Sequence, residues 1–287
     1  MSAATDAGFA GWCLDPGTLG FDLAFDDYLA MAAAAGCTWA EVPIGVLRAV
    51  GARAVRAALA GADLRAGPFS CPWEGSPNGS VPEEEWAQRV RLLPEVFARV
   101  GEAGGRMVSA FFRGDRDGMV RLSDDALARR CAVLARLAEE AGLRVCVELN
   151  DVDALRNASA TLDTVDSAAL VLLLDSFHLF RAGLDHRWID TLPPGAIGWV
   201  HISGVPTTVV APQDLPRTRP FEGTQDLAPI LAAVAGRGYD GPLSIEVLPA
   251  PGPDTDRAAY AADLVRTTDA ALAQRGRTRS GSDRTGS

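Results

Sequence analysis

Short apolar runs and helix-like segments alternate from one end of this chain to the other, and that order admits few folds. The runs fall near 9–14, 38–43, 65–70, 106–111, 144–149, 170–175, 197–202 and 242–247. Each is rich in aliphatic or β-branched side chains, as strands covered on both faces are. Helical patterns lie between and after them, near 25–35, 51–61, 83–103, 124–141, 155–167, 186–192, 226–236 and 255–275. Pro82-Glu83-Glu84-Glu85 opens the third helix and Ser123-Asp124-Asp125 the fourth. Gly36, Gly104, Gly142 and Gly238 each close a helix just before a strand. Eight such pairs in series predict an α/β fold, a single-domain (β/α)8 TIM barrel over 1–276. The alternative, an open doubly wound sheet, is disfavoured because no Gly-x-Gly-x-x-Gly or P-loop pattern follows any strand. Residues 277–287, polar and glycine-rich, read as a disordered tail.

Four of the runs end on a side chain that can bind a cation: Val-Cys-Val-Glu148, Val-Leu-Leu-Leu-Asp175, Gly-Trp-Val-His201 and Leu-Ser-Ile-Glu246. In a (β/α)8 barrel the C-terminal ends of the strands meet at one mouth, where catalytic groups collect. Strand alternation puts Cys146 and Asn150 on the face of Glu148, Trp199 and Ser203 with His201, and Ser244 with Glu246. The aliphatic residues between them face the helices. One glutamate at a strand end is commonly a loop ion pair, and one histidine a satisfied polar group. Four ligand-capable residues on four consecutive strand ends are hard to explain that way. Three carboxylates and an imidazole favour one divalent ion, Mn2+, Mg2+ or Co2+, with Zn2+ also compatible.

Composition removes other classes. Hydrophobic residues make up 48%, enough for a large core, and 287 residues suit a barrel that needs roughly 250. The formal net charge of −10 argues against nucleic acid, which is bound mainly through phosphate neutralisation. All 27 basic residues are arginine, so no lysine Schiff base can form. No run approaches the roughly 18 apolar residues of a membrane span. The N-terminus has no signal-peptide pattern. The five cysteines, Cys13, Cys37, Cys71, Cys131 and Cys146, are scattered and odd in number, an arrangement of reduced thiols in a cytoplasmic protein. Cys13 and Cys71 could reach the mouth, but read as buried inert thiols.

Four segments resemble the xylose-isomerase-like sugar isomerase and epimerase barrels, a superfamily with ketose 3-epimerases, hydroxypyruvate isomerase, inosose isomerases and dehydratases, and endonuclease IV. They are Val-Glu-Leu-Asn (147–150), Leu-Asp-Ser-Phe-His-Leu-Phe-Arg-Ala-Gly (174–183), Trp-Val-His-Ile-Ser (199–203) and Gly-Tyr-Asp-Gly-Pro-Leu-Ser-Ile-Glu-Val (238–247). The resemblance implies that Glu148, Asp175, His201 and Glu246 hold one divalent ion. It implies that His178 touches a substrate oxygen and that Glu148 and Glu246 are the acid/base pair. Glu41 matches a frequent acidic position of the family whose role varies, and is taken as substrate-binding. Arg181, Arg217 and Arg219 lie in segments that would overhang the mouth, where they could hold a hydroxyl, carboxylate or phosphate. Gly204 and Phe221-Glu222-Gly223 depart from the family pattern, and the proline-rich loop 204–225 between them is expected to contact substrate as a lid.

The chemistry stands without the family. A proton beside a ketone is too weakly acidic for a free carboxylate, and a cation on the ketone and adjacent hydroxyl stabilises the enediolate. Carboxylates within reach then act as base and acid. The expected substrate is a ketose, inosose or other polyhydroxylated ketone, and the protein a metal-dependent isomerase or epimerase, with a homodimer the working expectation. A lyase expelling a β-substituent from the same enolate is the closest alternative. A retaining glycosidase would need two carboxyls about 5–5.5 Å apart, and would leave Asp175 and His201 idle. A multi-zinc endonuclease needs more than three histidines. A non-catalytic barrel subunit or binding module would usually have lost ligands.

Overall fold

A computed structural model describes residues 2–70, 79–114, 118–207 and 216–282, with side chains through Arg275. Cys71 and residues 208–215 of the loop 204–225 lie outside the described residues. The strands are β1 (Trp12–Leu14), β2 (Trp39–Pro43), β3 (Arg65–Ser70), β4 (Met107–Phe112), β5 (Arg144–Leu149), β6 (Leu170–Asp175), β7 (Ile197–Ile202) and β8 (Leu243–Ile245). They pair in chain order, all parallel, and β8 closes on β1. This is the expected (β/α)8 barrel, with the strands largely buried and each followed by helix before the next. Among the described residues no helix is long and apolar enough to cross a membrane.

The helices mostly match their patterns: Phe25–Ala34, Ala52–Gly61, Glu83–Glu102, Asp124–Glu140 and Leu227–Gly236. The pattern at 155–167 forms two helices, Val152–Arg156 and Ala158–Val165. They break at Asn157, whose ψ of 13° has left the helical well. The segment at 186–192 is a single turn, His186–Ile189. Short helices that periodicity did not announce follow several strands, including Pro16–Leu19, Ile44–Val50 and Ser176–Arg181. The last helix, Arg257–Ser282, reaches into the range expected as a tail, and 283–287 lie outside the described residues.

Apolar packing divides as the alternation requires. Cys13, Cys146, Val171, Leu173 and Trp199 form a small cluster inside the barrel, with Trp39 and Met107 against it. The much larger core lies between the strands and the helices and holds Leu172, Leu174, Ile197, Val200 and Ile202. A Cβ on Gly67 would stand 2.8 Å from Trp199 Cη2, so glycine there leaves room for the indole across the barrel.

One irregularity aims the site. β6 and β7 pair Leu172 with Ile197 but Leu173 with Trp199, so β7 carries an extra residue, Gly198. Ile197 faces the helices and Trp199 faces the interior, which a regular strand forbids for residues two apart. Beyond this bulge Asp175 stands opposite His201. Without it, the imidazole of His201 would point into the helix layer.

Candidate metal and catalytic site

Asp175 ends β6 and caps the helix that follows: its Oδ1 accepts the Phe177 N–H at 2.7 Å. That bond fixes the carboxylate and turns Oδ2 toward the mouth. His178 sits one turn along the same helix, so the Asp-x-x-His spacing places its Nε2 3.6 Å from Asp175 Oδ2. The same Nε2 lies 3.3 Å from Glu148 Oε1. Arg181 approaches His178 Nδ1 at 3.3 Å. A guanidinium can only donate, so Nδ1 accepts and Nε2 carries the hydrogen. His178 therefore presents an N–H to the mouth.

His201 is 4% exposed and lies between two carboxylates. Its Nδ1 is 3.0 Å from Glu246 Oε2, and its Nε2 is 2.9 Å from Glu41 Oε1. Arg217 reaches in from the loop before the β8 end, with one terminal nitrogen 2.7 Å from Asp175 Oδ2 and the other 2.8 Å from Glu246 Oε2. Its guanidinium stacks 4.7 Å from the centre of the Phe177 ring. These are ionic contacts of short distance and poor alignment: Asp175 Oδ2 and Arg217 Nη1 make no hydrogen bond of acceptable angle. Asn150 Oδ1, Ser203 Oγ and Gln225 Oε1 are likewise buried without one. Orphaned polar atoms on several strand ends suit a site shaped for something bound there.

Electrostatics follow from this crowding. Burial alone would raise the Glu246 carboxyl, but the Arg217 guanidinium and His201 hold it well below the ordinary carboxylate range. Burial opposes a charged His201, yet Glu41 and Glu246 together keep the imidazole well above its usual value. Asp15 caps the Pro16–Leu19 helix through Gly17 N at 2.7 Å. Burial, with the charges of Glu41 and Glu246, pushes its carboxyl well above the ordinary range.

The four expected ligands meet. One ligand atom from each of Glu148, Asp175, His201 and Glu246 lies within 4.8 Å of all the others. Donors about 2.1 Å from one small cation stand at most about 4.2 Å apart. Small side-chain rotations would close the set, with Asp175 Oδ2 exchanging the Arg217 guanidinium for the ion. The residues present fit a divalent metal. A second convergent set, Asp15, Glu41 and His201, fits one poorly. Two hydrogen-bond donors, Trp199 Nε1 and Ser244 Oγ, already crowd Glu41 Oε1, and donors repel a cation.

Of the remaining residues, His178, Arg181 and Arg217 are brought to the cluster. Glu41 lies beneath His201, 1% exposed, rather than in the open mouth. Arg219 is not brought to the cluster: it pairs with Asp263 and lies over Tyr260, both of the last helix. Cys13 is buried, its thiol raised well above the ordinary value by burial and then by Glu41. Sequence reasoning missed Asp15 and Gln225. For Asp15 the signal was present, an Asp-Pro-Gly after a strand-like run; for Gln225 there was none.

A family model described as the xylose isomerase-like TIM barrel matches residues 29–268. The barrel superposes on the zinc-binding IOLI protein with a TM-score of 0.75 at 16% identity, covering 92% of this chain and 98% of that one. D-allulose 3-epimerase from Methylomonas sp., solved with D-allulose, gives 0.68 at 18% identity, covering 92% and 96%. A xylose isomerase domain protein from Alicyclobacillus acidocaldarius gives 0.71 at 22% identity, covering 92% and 99%. These likenesses concern the fold. In sequence, 124 residues are 36% identical to a 3-dehydroshikimate dehydratase of Pseudomonas aeruginosa, covering 40% of this chain and 20% of that protein.

Proposed function

The chain belongs to the xylose isomerase-like TIM barrel family, and from that premise we propose a divalent-metal-dependent isomerase or epimerase of a ketose or other polyhydroxylated ketone. The observation that carries this reading is the convergence of Glu148, Asp175, His201 and Glu246 within 4.8 Å. A cation held there would draw electron density from the ketone oxygen and acidify the neighbouring C–H bond. Mn2+, Mg2+ and Co2+ suit the three oxygens and one nitrogen, and the zinc of the IOLI structure shows that this fold can also hold Zn2+.

The chain's own groups supply the proton transfers. Glu246, held ionised by Arg217 and His201, is the carboxylate placed to accept a proton. Glu148, 3.3 Å from the His178 N–H, is the partner that returns a proton to the carbon. The His178 N–H binds a substrate oxygen and stabilises charge as it develops there. Arg217 orients a hydroxyl or carboxylate beside the same carbon while keeping the carboxylate cluster from repelling itself. Asn150, Ser203 and Gln225 offer unfilled acceptors and a hydroxyl to the remaining substrate oxygens.

Proton abstraction without reprotonation gives a lyase, and the match to a dehydratase supports that second reading. One experiment reads both. The protein is incubated with Mn2+ and a panel of ketoses, inososes and cyclic hydroxyketones in D2O. Deuterium beside the carbonyl supports the common first step; a new ultraviolet-absorbing enone identifies elimination. Absence of label and of enone for every compound, with Mn2+ bound, would remove both readings.

A further inference from the structure

We propose that Glu41 is a positioning residue that fixes His201 as a ligand through Nδ1, rather than a contact for substrate. The inference rests on the metal-centre reading above and deepens it. Glu41 Oε1 stands at the meeting of three groups from two other strands: Trp199 Nε1 at 3.0 Å and His201 Nε2 at 2.9 Å from β7, and Ser244 Oγ at 2.5 Å beside them on β8. An indole N–H can only donate, so the oxygen it meets is an acceptor. With Trp199 setting that polarity, the ring nitrogen sharing the oxygen must present its hydrogen. Nε2 of His201 therefore keeps its proton toward Glu41, and Nδ1, which faces Glu246 and the ligand cluster, is the nitrogen that would give up its hydrogen to a cation.

The opposite tautomer is disfavoured twice over. It would turn the Nε2 lone pair on a buried carboxylate, and it would aim an N–H into the space the cation occupies. A carboxylate behind a ligating imidazole also makes the outer nitrogen more basic and holds the ring plane. A substrate role is unsuited to Glu41: the residue is 1% exposed, and its Oε1 already accepts three hydrogens.

The test compares wild type, Glu41→Gln and Ser244→Ala. Mn2+ affinity is read by spin resonance of the free ion, and the folding of each metal-free protein by its melt. Ring nitrogen spectra of the Zn2+-loaded wild type give the tautomer directly, and three histidines make assignment simple. Glu41→Gln is expected to weaken Mn2+ binding roughly ten- to hundredfold, while its metal-free melt stays cooperative. Ser244→Ala, which leaves charge and tautomer intact, is expected to lose less. Wild-type His201 should show hydrogen on Nε2 and metal on Nδ1. Zinc on Nε2, or unchanged Mn2+ affinity in Glu41→Gln, would overturn the proposal and leave the metal centre standing. A wild type that binds no Mn2+ would instead remove the metal centre, and Glu41's role with it. The ring spectrum needs no variant, so the outcome stands even where Glu41→Gln does not fold.

Discussion

Adding one methyl group at Gly198 should damage both stability and the site, because the β7 bulge is made possible by a missing Cβ. A Cβ built there overlaps Val171 Cγ2 and comes 2.9 Å from Val171 Cβ, with Met107 Cε at 3.4 Å. Ordinary carbon contacts lie near 3.5–4.0 Å. Val171 is 2% exposed and packed inside the barrel, so it has no open space to enter. Overpacking of this kind costs about 1–3 kcal/mol. The smaller entropy of an unfolded chain without that glycine returns about 0.4–1 kcal/mol. The net loss for Gly198→Ala is therefore about 1–2 kcal/mol, or roughly 2–8 °C in the melting temperature of a domain this size. The second effect is larger in consequence. Relief of the clash by flattening the bulge would take His201 out of register with Asp175, so Mn2+ affinity should fall by about tenfold or more. Melts with and without Mn2+, beside a direct Mn2+ titration, read both effects. Trimming the neighbour in Gly198→Ala/Val171→Ala should recover part of each, since it removes the Cγ2 contact and leaves the Cβ one. A Gly198→Ala protein with wild-type melting and wild-type Mn2+ binding would show that the bulge does not aim the site.

Three further outcomes are expected. Chelation should lower the melting temperature, and Mn2+ at a hundred times its Kd should restore about 2.7 kcal/mol, roughly 5–10 °C; a melt indifferent to chelator would count against a resident ion. Arg217→Met should melt lower than wild type without metal, because Asp175 and Glu246 lose their counter-charge. Its gain on adding Mn2+ should be larger, since the guanidinium no longer competes for those carboxylates; a smaller gain would mean that Arg217 assists binding. Thiol reagents at pH 8 should find at most one reactive cysteine in the native protein. Cys13, Cys37, Cys131 and Cys146 are buried, and burial pushes the Cys37 and Cys131 thiols up to about 12. Two or more fast thiols would contradict that packing.

The barrel was legible because its signal is local. Runs such as 170–174 are apolar on every face, and their shortness fits a strand covered on both sides. Short helices were not legible. Ser176–Arg181 spans too few residues to show a period, and its real marker is Asp175 acting as an N-cap. The break at Asn157 is a backbone choice that no apolar spacing records. The four candidate ligands could be read because each stands at the end of its own strand, and topology alone then brings them together. Arginine roles could not be read that way. Arg217 and Arg219 differ by two positions in one loop, yet one enters the carboxylate cluster and the other pairs with Asp263. That outcome depends on partners distant in sequence. Glu41 shows the same limit: its acidity at a strand end was visible, whereas its three donors come from β7 and β8.

The shared cation can be sought most directly by anomalous diffraction at the manganese edge from crystals grown with Mn2+. One peak is expected within bonding distance of Glu148, Asp175, Glu246 and His201 Nδ1. A peak elsewhere, or four side chains that keep their ion pairs with Arg217 and surround no metal, would contradict a common metal centre.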